Sequence, residues 1–498
     1  MALIHFETLG CRLNQDETEG AAYCFSKAGF AIDLENLTAA SAVLDSCVLG
    51  IINTCTVTGK AEQKARRIMR LMLEKLPRAV LLVTGCYAEL GAEEIRAIAP
   101  KRICILKGTN KSLLARIAVA MAADDNGLSV SGGRFNAAAL ADFISRQGTA
   151  PLLRPAALLQ MALPQNPFTL YTSSFVRHSR ASLKIQDGCN NACTFCRIHL
   201  ARGKALSLDV AEVLHRVRQL AGQGVHELVF TGVNLSQYAG LCDDGSRVSF
   251  AQLLGIVLRE TEGIRFRISS FYPQHVTEEL CEQLSSPRVQ PSFHLSVQSG
   301  SDRILSLMAR PYSAAAVERA ASLLRQAKAE PFLSCDIIAG FPGETEEDFS
   351  ATRALCERVH FAWIHAFPFS PRPGTPAAAM KPQVAERIKG ERVKLLSALA
   401  QQEKLAYIRS FAGRELSAIV ENSRALRCGL GTAGTFHAVT ENFLHVSCKA
   451  AVPPSPGSLV RVRLGTPLEE SILSGGEVDA EAELISALVA SKLRSQGF

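Results

Sequence analysis

Three cysteines fall within eight residues of one another, in the run Cys189-Asn190-Asn191-Ala192-Cys193-Thr194-Phe195-Cys196. Three thiolates on one loop can bind three irons of a cubane and leave the fourth iron without a protein ligand. An open iron can chelate a substrate or cofactor, as the open position of a catalytic metal site does. Zinc is the competing reading. It usually wants a fourth ligand nearby, and His199 is the only candidate. The chain has 15 cysteines in 498 residues. That length, the odd count and a start, Met1 to Glu7, without a basic stretch leading into an apolar one argue against a secreted disulfide framework. No apolar run reaches the roughly 18–20 residues that span a bilayer. A cytoplasmic protein without a membrane partner is expected. The formal charge of +7 permits a polyanionic partner without demanding one.

Apolar runs and helical patterns alternate over the first 120 or so residues. Strands are expected at 2–8, 47–52, 79–84 and 103–107, with helices at 17–28, 60–75, 92–98 and 112–122. Such alternation argues a parallel, doubly wound sheet over residues 1–123. From 124 to 180, Gly and Pro break the pattern repeatedly, which reads as a linker or insert with short helices near 137–145 and 155–161. Six strand–helix units then follow between 181 and 408, closing with a long helix at 384–409. They suggest a barrel, incomplete at six strands. Residues 409–466 carry four short strands with Gly/Pro turns, a small antiparallel barrel. The tail, 467–498, reads as an acidic start and a helix at 480–494.

Three more cysteines share one structural place. Gly10-Cys11 follows the first strand, Asn53-Thr54-Cys55 closes the second and Gly85-Cys86 closes the third. Residues just past the carboxyl ends of parallel strands converge at one edge, where ligands bind. Three thiolates there again match three ligands of a 4Fe–4S cluster. Cys24, Cys47, Cys104, Cys242, Cys281, Cys335, Cys356, Cys428 and Cys448 lack ligand spacing and read as small hydrophobes.

The CxxxCxxC after a first barrel strand resembles the signature of the radical S-adenosylmethionine (SAM) enzymes. That resemblance implies SAM on the open iron and its reductive cleavage to a 5′-deoxyadenosyl radical that abstracts hydrogen from a C–H bond. With Thr8-Leu9-Gly10-Cys11-Arg12-Leu13-Asn14, Asn53-Thr54-Cys55 and Thr84-Gly85-Cys86-Tyr87-Ala88-Glu89 added, the chain looks like the methylthiotransferases. Those have a flavodoxin-like cluster domain, a radical SAM partial (β/α)6 barrel and a terminal TRAM β-barrel. Ala201-Arg202-Gly203, Thr231-Gly232-Val233-Asn234, Gln298-Ser299-Gly300-Ser301, Asp336 to Thr345 and Phe369 to Pro376 also match. Leu13-Asn14-Gln15 and Glu17-Thr18-Glu19 are most similar to the branch acting on threonylcarbamoyladenosine in tRNA. Other branches modify isopentenyladenosine in tRNA or a ribosomal protein aspartate. The resemblance implies two 4Fe–4S clusters, on Cys11, Cys55 and Cys86 and on Cys189, Cys193 and Cys196. It also implies SAM contacts at Phe195, Gly232, Asn234, Gln298 and Asp336, and a flavodoxin- or ferredoxin-like electron donor. A non-catalytic iron–sulfur RNA-binding or electron-carrier protein is the reading from another class. It would not need the segments 231–234 and 336–344.

Two basic surfaces are candidates for RNA. Lys64, Arg66, Arg67 and Arg70 lie on one helix and read as a solvated face. In the terminal barrel Arg409, Arg414, Arg424, Arg427, Lys449, Arg461 and Arg463 outweigh Glu415, Glu421 and Glu441, as expected of a nucleic-acid module.

Overall fold

Apolar alternation in the first hundred residues becomes a five-stranded parallel sheet in the computed structural model, which describes residues 2–123, 128, 135–146, 166–173, 180–425 and 434–488. The strands are β1 (Leu3–Thr8), β2 (Ala31–Asp33), β3 (Cys47–Thr54), β4 (Val80–Gly85) and β5 (Ile103–Ile105), in the order β2-β1-β3-β4-β5. Every residue of β4 is buried, as a strand covered on both faces requires. One face packs Ile4, Phe6, Ile51 and Leu82 against α1 (Arg12–Lys27) and a later helix, Leu113–Ala122. The other packs Ile52, Leu81 and Val83 against Ile68, Met69 and Met72 of α2 (Gly59–Lys75). The order reverses between β1 and β3, so the carboxyl ends of those two strands flank the crevice where doubly wound sheets hold ligands.

The stretch expected to be a linker is in part a piece of this domain. Its helix Ala137–Arg146 inserts Leu140 and Phe143 into the first core, and Leu170 joins them, while Phe168 enters the core of the next domain. The expected helix at 155–161 lies outside the described residues.

Six parallel steps make the second domain: β6 (Ala181–Lys184), Glu227–Thr231, Arg265–Ile268 running on into Ser270–Phe271, Ser292–Gln298, Phe332–Ala339 and Trp363–Pro368. Each pairs in parallel register with the next. Among the described residues no ladder joins β6 to Trp363–Pro368, so the barrel has a lateral seam. The helix Glu386–Phe411 packs on Trp363–Pro368 and hands the chain to the third domain.

That third domain is a closed five-stranded barrel, ordered Glu415–Ala425, Gly434–Thr440, His445–Ala450, Ala480–Leu488, Leu459–Pro467. Here the tail reading is corrected. Residues 480–488, expected to be helical, form the strand that closes the barrel, which therefore extends past 466. The stretch is rich in helix formers, yet Glu481, Glu483 and Ile485 are exposed while Ala480, Ala482 and Leu484 turn inward, a period of two. Its pairing satisfies two edges at once, parallel to His445–Ala450 and antiparallel to Leu459–Pro467. Residues 489–498 lie outside the described residues. A turn of this barrel seals the base of the second domain. Arg267 donates to the Thr440 carbonyl (3.1 Å) and its guanidinium covers the Phe443 ring at 5.2 Å.

Candidate active site

Cys11, Cys55 and Cys86 stand just past β1, β3 and β4, around the crevice where the strand order reverses. The glycines before two of them are there for space. Gly10 has φ +107°, and a Cβ on it would lie 2.6 Å from the Cys55 Cβ. Gly85 has φ +99°, and its Cβ would meet the Thr54 carbonyl at 2.3 Å. Only glycine takes that backbone while a neighbouring chain passes so close. Asn14 pins the same corner, donating to the carbonyls of Leu9 (2.8 Å) and Thr54 (3.1 Å). The three thiols lie within electrostatic range of one another and of the Arg202 guanidinium.

Cys189, Cys193 and Cys196 occupy the loop after β6. Backbone N–H groups of Asn191 and Ile198 point at the sulfurs of Cys189 (3.5 Å) and Cys196 (3.4 Å). Arg310 Nη1 donates to the Cys193 sulfur at 3.2 Å and is itself held by Tyr272, Tyr312 and the Ser296 carbonyl. The buried Asn234 side-chain amide lies beside the Cys189 sulfur and, against the larger effect of burial, works to lower its pKa.

The two trios face each other across the domain junction. The short helix Cys86–Leu90, which begins with a candidate ligand, packs on the helix Ile198–Arg202, which follows Cys196. Thr56, next to Cys55, accepts a hydrogen bond from Arg197, next to Cys196 (3.4 Å). Two ionic hubs fix this approach. Glu17 of α1 bonds Lys184 and Arg202 at 2.9 Å each and also Lys111, while Asp187 takes Lys184 (2.9 Å) and Arg202 (2.8 Å). Glu62 of α2 bonds Arg197 at 3.2 Å and also Arg372. A cleft of about 330 Å³, lined by Cys86, Lys111, Arg202 and Lys204 among others, opens beside the first hub.

Phe195, Gly232, Asn234 and Gln298 lie at or past the carboxyl ends of barrel strands, whereas Asp336 is the fifth of eight residues of Phe332–Ala339. Phe195 meets Phe341 edge-on, 6.4 Å between ring centres, with the Arg310 guanidinium 5.9 Å away. Gly232 is packed so tightly that a Cβ would lie 3.0 Å from Gln186. The Asn234 N–H donates to Gln186 Oε1 (2.8 Å), tying the second strand's loop to the first's. Gln298, buried, ends its strand at φ +70°, a conformation that costs a non-glycine residue and that clusters at functional sites. Asp336 accepts from His294 Nε2 at 3.0 Å, and His294 Nδ1 meets Ser334 at 2.9 Å. His365 and the exposed Phe367 lie parallel on the seam strand, 6.5 Å apart.

Burial pushes the Cys55 and Cys196 thiols up to about 11 and raises Cys11 and Cys189, although Cys11 opens to the junction. Alone, these groups are thiols at neutral pH; binding to iron removes the proton outright. N–H donors aimed at sulfur, a nearby guanidinium and the Asn234 amide beside Cys189 fit iron–sulfur clusters, whose sulfurs take such hydrogen bonds. At Asp336, burial works against ionisation, yet the hydrogen bond and charge of His294 hold the carboxyl below its usual range. Of the thiols read as core, Cys24, Cys47, Cys104, Cys281, Cys335, Cys356 and Cys448 are buried and Cys242 is half-buried; Cys428 lies outside the described residues.

The sequence reading gives no individual role to Glu17, Lys184, Asp187 or Arg310. The signal that could find them is charge inside or at the end of an apolar strand, as in Ala181-Ser182-Leu183-Lys184, since a buried charge demands a partner.

Two family models match the chain: the Radical SAM superfamily over residues 183–356 and the Uncharacterized protein family UPF0004 over residues 3–106. Among curated relatives, the threonylcarbamoyladenosine tRNA methylthiotransferase MtaB of Treponema pallidum is 44% identical, covering 93% of this chain and 98% of the relative. The protein of the same name from Bacillus subtilis is 32% identical, covering 93% and 94%. A tRNA-2-methylthio-N(6)-dimethylallyladenosine synthase of Yersinia pseudotuberculosis is 30% identical, covering 84% and 82%. Among solved structures, the radical SAM methyltransferase TsrM of Kitasatospora setae aligns with a TM-score of 0.51 at 15% identity, over 76% of this chain and 75% of that one, a likeness of fold.

Proposed function

This chain belongs to the radical SAM methylthiotransferases, and from that membership we propose that it methylthiolates C2 of N6-threonylcarbamoyladenosine at position 37 of tRNA. The observation that carries the reading is the facing of two cysteine trios, one on each domain, across a junction fixed by buried ion pairs. Cys189, Cys193 and Cys196 hold one 4Fe–4S cluster, and Cys11, Cys55 and Cys86 hold a second. When bound, the first cluster and SAM supply hydrogen abstraction at C2, and the second supplies the sulfur's point of delivery.

The chain's own residues position these groups. Arg310 and the Asn191 and Ile198 amides polarise the sulfurs of the first trio. Phe195, Gly232, Asn234, Gln298 and Asp336 line the SAM site, with Asp336 held ionised by His294. Arg202 lends positive charge to the second trio. The seam between β6 and Trp363–Pro368 admits the tRNA nucleoside, and Asp16 of α1 ties the cluster domain to the first two barrel strands through Ser182 and Thr231. The electron donor is a flavodoxin- or ferredoxin-like protein, and the enzyme works in the cytoplasm. No described helix is long and apolar enough to cross a membrane.

The match at 44% identity supports the threonylcarbamoyladenosine branch over the dimethylallyladenosine branch, matched at 30%. Nucleoside mass spectrometry of tRNA from a strain lacking the gene tests it. The 2-methylthio derivative of threonylcarbamoyladenosine is lost while the parent nucleoside accumulates. Loss of the isopentenyladenosine derivative instead would move the protein to the other branch.

A further inference from the structure

Helix α2 carries six basic residues, Lys60, Lys64, Arg66, Arg67, Arg70 and Lys75, and two acidic ones, Glu62 and Glu74. Glu62 turns to the junction, where it bonds Thr56, Arg197 and Arg372. Arg66 is likewise engaged, donating to the Tyr87 hydroxyl and Glu94 at 2.7 Å each. Lys60, Lys64, Arg67 and Arg70 differ. All four are exposed, and among the described residues none has a hydrogen bond, ion pair or ring contact. Lys60, Lys64 and Arg67 fall at i, i+4 and i+7 on one face, opposite the buried Ala65, Met69 and Met72, and Arg70 extends the row by one turn. From Lys60 to Arg70 the row is about 15 Å long.

In the terminal barrel, the expected nucleic-acid module, four of the seven cations are answered by carboxylates, Lys449 is exposed without a partner among the described residues, and nothing is described of the Arg424 and Arg427 side chains. Arg409 is paired with Glu469, and Arg414 with Glu330. Arg461 lies 3.6 Å from Glu415, and Arg463 bonds Glu415 and Glu483 at 3.0 and 3.1 Å. An arginine already answered by a carboxylate has less to give a phosphate. The row on α2 also starts at the chemistry: the Gly59 N–H reaches Ser370 on the loop after the barrel's last strand (3.4 Å), and Arg372 on that loop shares Glu62 with Arg197.

We propose that the Lys60–Lys64–Arg67–Arg70 face of α2 docks the sugar–phosphate backbone of the tRNA anticodon arm and sets its approach to the junction; this rests on the tRNA reading above. Between Lys60 and Arg70 the face carries four cations and no acid, and the exposed Glu74 one turn beyond lies 3.5 Å from Lys75; the row is matched in charge to a polyanion, and phosphate contacts of this kind fix register without reading sequence.

The test uses the full-length reconstituted protein and a fluorescent anticodon stem-loop RNA, with affinity measured by anisotropy over a series of salt concentrations. Lys60→Gln, Lys64→Gln, Arg67→Gln and Arg70→Gln together make the variant, and iron content and thermal melting check its integrity. The log–log salt slope should become shallower by about 3, near 0.7–0.9 for each lost phosphate contact. At fixed moderate salt the affinity should fall at least tenfold. Neutralising Arg409, Arg414, Arg461 and Arg463 instead should change the slope by less than half as much. A quadruple α2 variant with wild-type affinity and slope would overturn the proposal, as would a slope carried by the barrel arginines. A wild-type protein without salt-dependent RNA binding would overturn the tRNA reading itself.

Discussion

Glu17→Gln removes the one carboxylate that faces three buried cations from two domains. The Glu17 side chain is 3% exposed, and Lys184, Arg202 and Lys111 are 6%, 7% and 9% exposed. Breaking a buried pair by deleting one partner costs about 3–5 kcal/mol, because the other charge stays buried and unanswered. Arg202 and Lys184 keep Asp187, whereas Lys111 is left with only the Asn14 side-chain oxygen at 3.5 Å. The lower end, about 3 kcal/mol, is therefore expected, or roughly two decades in the equilibrium between docked and undocked domains. Hydrogen exchange followed by mass spectrometry reads this directly. Protection in α1 and in Ile198–Arg202 should fall by about 100-fold, while amides of the terminal barrel are unaffected. Adding Lys111→Met should restore much of the loss, because both members of the pair are then gone. Protection within about threefold of wild type in α1 would refute the argument that this hub sets the junction.

Replacing Cys189, Cys193 and Cys196 by Ala should remove one of two clusters by iron analysis and stop 5′-deoxyadenosine formation, while replacing Cys11, Cys55 and Cys86 should keep that cleavage and abolish sulfur insertion into tRNA. Glu421 pairs with Arg180 (3.0 Å) and His445, and against the effect of burial they hold its pKa at about 2. A depressed folded pKa stabilises above the unfolded value and is lost as pH falls; acid unfolding between pH 4.5 and 2 should therefore lose up to about 3 kcal/mol in wild type and visibly less in Glu421→Gln. Gln298→Gly should relieve its φ of +70° and raise stability by about 1 kcal/mol in thermal melts, while lowering SAM cleavage.

The two cysteine trios were legible because their patterns are local: Cys189, Cys193 and Cys196 announce themselves by spacing, and Cys11, Cys55 and Cys86 by following apolar strands, and the fold brings each trio to one strand-end edge. Period and turn chemistry likewise exposed the parallel sheet and the six barrel units. The ionic hubs were not legible. Glu17 and Arg202 are 185 positions apart and each looks like an ordinary surface residue in its own helix; only the docking of two domains makes them buried. The strand at 480–488 was misread because Ala, Glu and Leu favour a helix in isolation, while two waiting sheet edges decide the outcome. The basic surfaces were weighed by counting charges. Carboxylates distant in sequence, such as Glu469 and Glu330, answer Arg409 and Arg414 of the terminal domain, while Lys60, Lys64, Arg67 and Arg70 of α2 have no such partner among the described residues.

The closing strand of the terminal barrel also governs the order in which a ribosome can complete the molecule. Synthesis delivers His445–Ala450 and Leu459–Pro467 before their shared partner, Ala480–Leu488. Until those last residues emerge, both strands present open edges, the kind of template that recruits another nascent chain. The turn at Phe443 that seals the base of the radical SAM barrel belongs to the same unfinished sheet. A stop codon or frameshift between 467 and 480 would thus spare both cysteine trios and still yield a product prone to pair with its neighbours on the polysome.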